Sequence, residues 1–444
     1  MFKFIPNDLP LPLPVGDLEA VFLPVFHVLL VVAFVVHILF INVLLGGSFA
    51  SVWYNLVGVV KGDKTYDRAG YLMTTPVTIS ENMGALWGVA PLLIVSVMFT
   101  AFWYSSVLMI SPQILHIIYG NIVAFLFSYL YKFSWPYLQE RKGLHLSFGV
   151  ASVLIFFSLP FVFMTAVQLY LTPGTWQVGM RYWDVLFRAD VFFRLAHFFL
   201  ASFAVTGVFM MVFGASKRKR PEDAEAGEVL IKTGKSWFVV TTALNLFVGL
   251  LTFFQFPSYG IEAFYSSVYP LILALGVLTA VAAAGLVLRQ FFVTDTSPGT
   301  TKWVVVLMAV TVLSMATSRH GMRLLLLKPA IAQMNVKTAE YVASVKAARA
   351  EALAAPLVAK APSTPGEATA TKYGCLACHA VDKRVVGPAY KDVAAKGYST
   401  EQIAALIRKP NPGNWPGYGQ MPPMTAVTDE DAKVLAGWIN SARE

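Results

Sequence analysis

Residues 21–50 read VFLPVFHVLLVVAFVVHILFINVLLGGSFA and contain no charged side chain. About 20 apolar residues in a helix cross the hydrocarbon core of a bilayer, so this run is long enough to span one. The segment before it, MFKFIPNDLPLPLP, lacks the basic n-region and small-residue cleavage site of a signal peptide. A retained first span is expected. Working outward, comparable runs lie near 84–110, 113–133, 145–172, 190–214, 236–256, 264–288 and 302–319. The third is interrupted by His116 and Tyr119, and the seventh is weakened by AVAAAG. The expected fold is all-α: a polytopic bundle of about eight transmembrane helices followed by a small helical domain.

Composition agrees. The chain is 57% hydrophobic and only 13% charged, with a mean hydropathy of +0.62, against about 25% charged in ordinary soluble domains. The apolar residues concentrate before position 320. The expected domains are a membrane unit at 1–327, a helical stalk and Pro-, Ser- and Thr-rich tether at 328–371, and a soluble domain at 372–444. The net charge of +9 is read as a record of cytoplasmic loops, and three short loops are basic: Lys61, Lys64 and Arg68 after the first span, Arg141 and Lys142 after the third, and Lys217 to Arg220 after the fifth. Basic loops stay cytoplasmic. All three share one side only if the N-terminus is outside, and eight spans then put the C-terminus outside too. The expected location is a bacterial inner membrane with both termini periplasmic. No catalytic triad, phosphate-binding glycine loop or nucleic-acid module is present, and nucleic acid is not an expected partner.

Both cysteines of the chain fall in one run, CLACH, at 375–379. In CxxCH two thiols add to the vinyl groups of haem and the following imidazole ligates its iron, so one covalent haem c is expected on Cys375, Cys378 and His379. Its attachment on the outer face agrees with the charge asymmetry. A thioether suits the sixth position, because methionine raises the potential, and Met421 and Met424 compete for it. The order CLACHAVDKRVVGPAYKDVAAK, a Trp ahead of MPP, and an acid-rich start of a C-terminal helix resembles the small class I cytochromes c of bacteria. That resemblance implies Met421 as ligand, Pro388 as the carbonyl that accepts from the His379 ring, and Arg408 and Trp415 at the haem propionates. Thr428 is expected to cap the last helix, and Trp438 to pack near Gly374.

Six histidines remain, His27, His37, His116, His145, His197 and His320, and ligating side chains within spans are functional candidates by default. On the expected topology His27, His197 and His320 cluster in the outer half. His27 and His37 are roughly 80° apart around an ideal helix, and no second pair exists, which excludes two stacked bis-histidine haems. VFHVLLVVAF, followed later by FRLAHFFLASFAVTGVFMM, is similar to the large subunit of cytochrome bd quinol oxidases. That resemblance implies one or two b-type haems, with His27 at a high-spin site and His197 as a low-spin ligand beside Arg194. His320, next to Arg319, is the candidate partner of His197. Two departures stand out: YGNIVAFLFSYLYKF lacks the acids of the oxidases' third helix, and the outer quinol loop is reduced to FPSYGIEAFYSS, with Glu262.

These readings give an oxidoreductase that passes electrons between a quinol pool or membrane haem b and periplasmic carriers through haem c. The alternatives are a haem c-fed reductase of oxygen or another small oxidant, and a membrane anchor that presents cytochrome c to a partner complex. Membrane lipid, quinone or quinol, periplasmic electron carriers, and a partner membrane subunit or second copy are the expected partners.

Overall fold

The computed structural model describes residues 18–177, 179–292, 298–354 and 363–442. The N-terminal stretch read for a signal peptide and part of the expected tether lie outside them. Two compact units are present, Met1–Val342 and Ala343–Glu444. Among the described residues every regular element is helical.

The first unit contains α1 (Leu18–Lys61), α2 (Lys64–Met98), α3 (Thr100–Met109), α4 (Ser111–Ser134), α5 (Lys142–Leu171), α6 (Tyr182–Leu186), α7 (Ala189–Lys217), α8 (Ala224–Phe253), α9 (Ser258–Tyr265) and α10 (Tyr269–Phe292). It also holds most of α11 (Pro298–Ala354). Eight segments among the described residues are long and apolar enough to cross a membrane. Large apolar side chains face outward, with Leu126 62% and Leu278 67% exposed, while Ser51, Asn55, Thr74, Ser152, Ser202 and Thr206 are buried. That inverted pattern suits a hydrocarbon solvent, in which small and polar residues form the helix contacts. The chain is a multi-pass membrane protein.

Two expected spans are redrawn. The second, expected at 84–110, is instead α2 from Lys64, and the chain breaks at Phe99 before the short α3. The absence of charge located that span, but α2 contains Asp67, Arg68 and a buried Glu81. The eighth span does not end at 319: α11 continues unbroken to Ala354, through Pro329, so His320 lies within a helix and is only 7% exposed. No break occurs at 327.

The three basic turns meet at one end of the bundle. Gly62 turns α1 into α2 with φ +65°, a left-handed conformation that favours glycine. Across this end Lys142 pairs with Asp67 at 2.9 Å, Arg68 with Asp223 at 2.8 Å, and Thr65 donates to Glu225 at 3.1 Å. The opposite end is closed by an apolar cluster of Phe99, Trp103, Tyr170, Trp176, Val185 and Leu327.

The second unit contains α12 (Pro365–Lys372), α13 (Tyr390–Ala395), α14 (Thr400–Arg408) and α15 (Asp429–Ser441) around Ala370, Tyr390, Ile403, Ile407, Leu435 and Ile439. Helix α12 occupies sequence read above as tether. The Thr364 side chain accepts from Glu367 N at 3.2 Å and Pro365 stands in the first turn, so Ser, Thr and Pro here are start signals rather than flexibility. Trp438 packs against Gly366 of α12, one helix before the expected Gly374.

Helices α7 and α8 cross at glycines. A Cβ on Gly207 would stand 2.7 Å from Gly234 O, and one on Gly214 2.6 Å from Gly227 O. Gly207→Leu should lower the unfolding free energy of the detergent-solubilised protein by about 1–3 kcal/mol through overpacking. Gly285→Leu, with open space around its Cβ, should not lower it. Thermal unfolding followed by circular dichroism checks the pair.

Candidate functional site

Gly374 ends α12 in the left-handed region (φ +69°) and turns the chain into a 3-10 turn over Cys375–Ala377. His379 N donates to Cys375 O at 3.0 Å, and Gly387 N to Cys378 O at 2.8 Å, closing a loop that holds both thiols and the imidazole together. Cys375 is half-buried and Cys378 exposed. His379 Nδ1–H donates to Pro388 O at 2.8 Å, which fixes the tautomer and leaves Nε2 as the basic nitrogen. The ring stacks on Tyr390 at 5.2 Å and 13°. A Cβ on Gly387 would collide with it.

A cavity of about 210 Å³ opens beside this loop. Cys375, Cys378, His379 and Pro388 form one wall, and Trp415, Met421 and Met424 line it as well, with Ile403, Ile407, Leu435 and Ile439 toward the core. Two thiols, an oriented imidazole, an apolar slot and two thioethers form a donor set that fits haem c.

Comparison with known proteins agrees. No protein-family model matches the chain. Cytochrome c-551 of Pseudomonas denitrificans is 47% identical over 78 residues, 17% of this chain and 93% of that protein. Cytochrome c-551 of Pseudomonas aeruginosa is 46% identical over 74 residues, 16% of this chain and 69% of that protein. Cytochrome c-552 of Nitrosomonas europaea is 46% identical over 74 residues, 16% of this chain and 71% of that protein. Through its C-terminal unit the chain belongs to the cytochrome c-551/c-552 family. Membership implies a covalently bound haem c and a role in electron transfer. The matches give no support to the cytochrome bd resemblance of the membrane unit.

Within the cytochrome c unit the two methionines differ. Both line the cavity, but Met424 also packs against the apolar core and its N–H donates to Ile407 O at 3.1 Å, whereas Met421 lies outside that core. Trp415 also lines it, with Lys396 4.1 Å above its ring. Arg408 is turned away. It donates to Val427 O at 3.2 Å and pairs with Asp429, because Ile403 and Ile407 occupy the cavity face of α14 and place Arg408 toward the start of α15. Its Nε is buried without a partner.

In the membrane unit His27 Nδ1 and His320 Nε2 lie 2.8 Å apart, and His320 Nδ1 is 3.2 Å from Arg323 Nη1. A guanidinium only donates, so His320 Nδ1 accepts and its Nε2–H donates to His27 Nδ1. The polarised chain Arg323, His320, His27 follows. His320 is thus committed to α1 and is not the partner of His197 that the resemblance implied, because α11 runs on past 319 and carries residue 320 into the bundle. His197 instead faces α8, where it interacts with the Asn245 backbone; its Nδ1 has no partner within 3.5 Å and lies 3.3 Å from where a Cβ on Gly249 would stand.

Three arginines surround these rings. Arg194, Arg319 and Arg323 interact electrostatically with one another, and their planes lie near Phe256 (5.7 Å), Phe34 (4.7 Å), and Phe99 and Tyr170 (both 5.9 Å). The Nε of Arg194 and of Arg323 is buried without a partner. Among the described residues none of the three meets a carboxylate within ion-pair distance. The nearby acid, Asp190, is taken by Arg188 at 2.7 Å and Gln168 at 2.6 Å. Arg323 went unnoticed in sequence; its signal is RHGMR, which stacks Arg319, His320 and Arg323 within one turn.

Outside the membrane, the Tyr373 hydroxyl and the Lys372 ammonium hold the Asp431 carboxyl below the ordinary carboxylate value, at 2.7 Å and 2.9 Å. A depressed folded pKa stabilises above the unfolded value of about 4 and is lost as pH falls through the folded one. Asp431→Asn should therefore flatten the acid limb of the cytochrome c unit's unfolding while leaving neutral-pH absorption unchanged, as read from haem absorption against pH.

Proposed function

We propose that this chain is a membrane-bound cytochrome. In this reading, haem c on Cys375 and Cys378 exchanges electrons with a non-covalent haem b held by the arginine and histidine cluster of the membrane unit, linking a quinol pool to soluble carriers. The observation that carries it is the set of three arginines within the spans, Arg323 buried and Arg194 and Arg319 half-buried, whose one nearby acid, Asp190, is shared with Arg188 and Gln168. Each arginine in a span costs about 2.5–3.5 kcal/mol on insertion scales, so three cost about 8–10 kcal/mol, comparable to the net stability of a whole domain. The aromatic faces offset part of this, about 0.5–2 kcal/mol each. Two propionates would supply the missing negative charge, and His197, with an unpartnered ring nitrogen, would supply the iron ligand.

The residues of the two sites then have separate tasks. Haems supply one-electron exchange, which no side chain here provides. His379 and Met421 would hold the haem c iron, with Pro388 orienting the imidazole and Trp415 closing the cavity. Arg194, Arg319 and Arg323 would neutralise the propionates. Arg323 also fixes the tautomer of His320 and, through it, of His27. The convergence of the basic turns at the opposite end supports an inner membrane location, with the cluster in the outer half and the cytochrome c unit outside.

The reductase reading uses the same cluster but requires His27 to ligate iron, which its hydrogen bond to His320 opposes. His197→Ala should abolish reduction of haem c by a short-chain quinol while the haem c spectrum is retained; unchanged reduction would remove the proposal. Met421→Ala should remove the sulfur-to-iron charge-transfer band of the ferric protein, and Met424→Ala should keep it.

A further inference from the structure

Glu81 of α2 is 1% exposed, and neither carboxylate oxygen has a hydrogen-bond partner. An isolated ionised carboxylate inside a membrane protein is among the most expensive groups a fold can carry. The cation nearest to it, Lys132 of α4, donates to Thr78 Oγ1 at 2.9 Å and forms no ion pair with it. The titratable group that α1 brings to this level, His37, is engaged with Gly84 O at 2.9 Å. Glu81 is therefore left as a neutral acid.

A small cavity of about 10 Å³ lies on its basic-turn side, lined by Ser48, Ser51, Thr74, Ser128, Tyr131 and Ser152. It has room for roughly one water. Five of these hydroxyls donate to backbone carbonyls: Ser48 to Leu45, Ser51 to Gly70, Thr74 to Tyr71, Tyr131 to Ser51 and Ser152 to Ala124. Their oxygens remain as acceptors for a water's protons. The sixth, Ser128, faces Glu81 from beyond 3.5 Å. Below the cavity Tyr131 stacks on His145 at 4.6 Å. His145 is fully buried, with Nδ1 2.9 Å from Ser134 Oγ and Nε2 unpartnered. Beyond it stand Lys142 and Asp67, 2.9 Å apart and partly open to solvent.

We propose that Glu81 is a proton-exchanging carboxyl inside the membrane. It is reached from the basic-turn end through one water in the hydroxyl-lined cavity and Ser128. The step moves a proton only: water at the Asp67 end donates it, the carboxylate becomes a carboxyl, and no electron is transferred. The inference does not depend on which haem the membrane unit holds, so its failure and that of the haem b reading are distinguishable.

Infrared spectra of the full-length protein, exchanged from H₂O into D₂O at neutral pH, test it. A protonated carboxyl C=O band should be present and shift in D₂O within minutes. It should vanish in Glu81→Gln, move in Glu81→Asp, and exchange more slowly in Ser128→Ala, with the amide band showing an intact fold in each. An absent band, a band that survives Glu81→Gln, one that does not exchange, or unchanged exchange in Ser128→Ala would overturn the proposal.

Discussion

Three arginines inside a membrane bundle set the terms for the rest of this protein. Arg194, Arg319 and Arg323 repel one another, and aromatic faces compensate only part of what their burial costs. Every carboxylate near enough to help is occupied, Asp190 by Arg188 and Gln168. Such an arrangement persists only where something anionic completes it. In the proposed reading that occupant is a haem, whose propionates would meet the arginines and whose iron would meet His197.

The two ends of the membrane unit are built differently. Basic turns interlock at one end through Lys142 with Asp67 and Arg68 with Asp223. The other end is closed by aromatic and aliphatic side chains above the histidines and arginines. Polar groups run inward from the basic end through His145 and the serine-lined cavity to Glu81. The bundle thus pairs an acid approached from one side with a cationic cluster approached from the other, an arrangement suited to moving protons and electrons from opposite faces. The cytochrome c unit adds a carrier whose loop geometry, from Gly374 through Pro388, is set by backbone hydrogen bonds within the chain.

Much of this was legible in the sequence, unevenly. Uncharged runs located the spans because hydrocarbon excludes charge. The same rule misplaced the second span, since the bundle buries Glu81 in a helix that a charge-free window skips. CLACH revealed the haem c site because the chemistry needs those residues in that order, and His379 meets Pro388 at 2.8 Å. The contacts of Arg408 with Val427 O and Asp429 had no local signal, because its direction depends on which face of α14 the isoleucines take. The pairing of His27 with His320, 293 positions apart, has no local signal at all: it arises from the continuation of α11 and its packing on α1. Helix α12 was hidden by composition, although Thr364 and Pro365 are recognisable as a helix start.

The central claim is that the membrane unit holds a haem of its own. The ratio of haem b to haem c in the purified full-length protein, read from the pyridine haemochrome spectrum, tests it most directly. The account predicts at least one haem b for each haem c. A spectrum of haem c alone would contradict it.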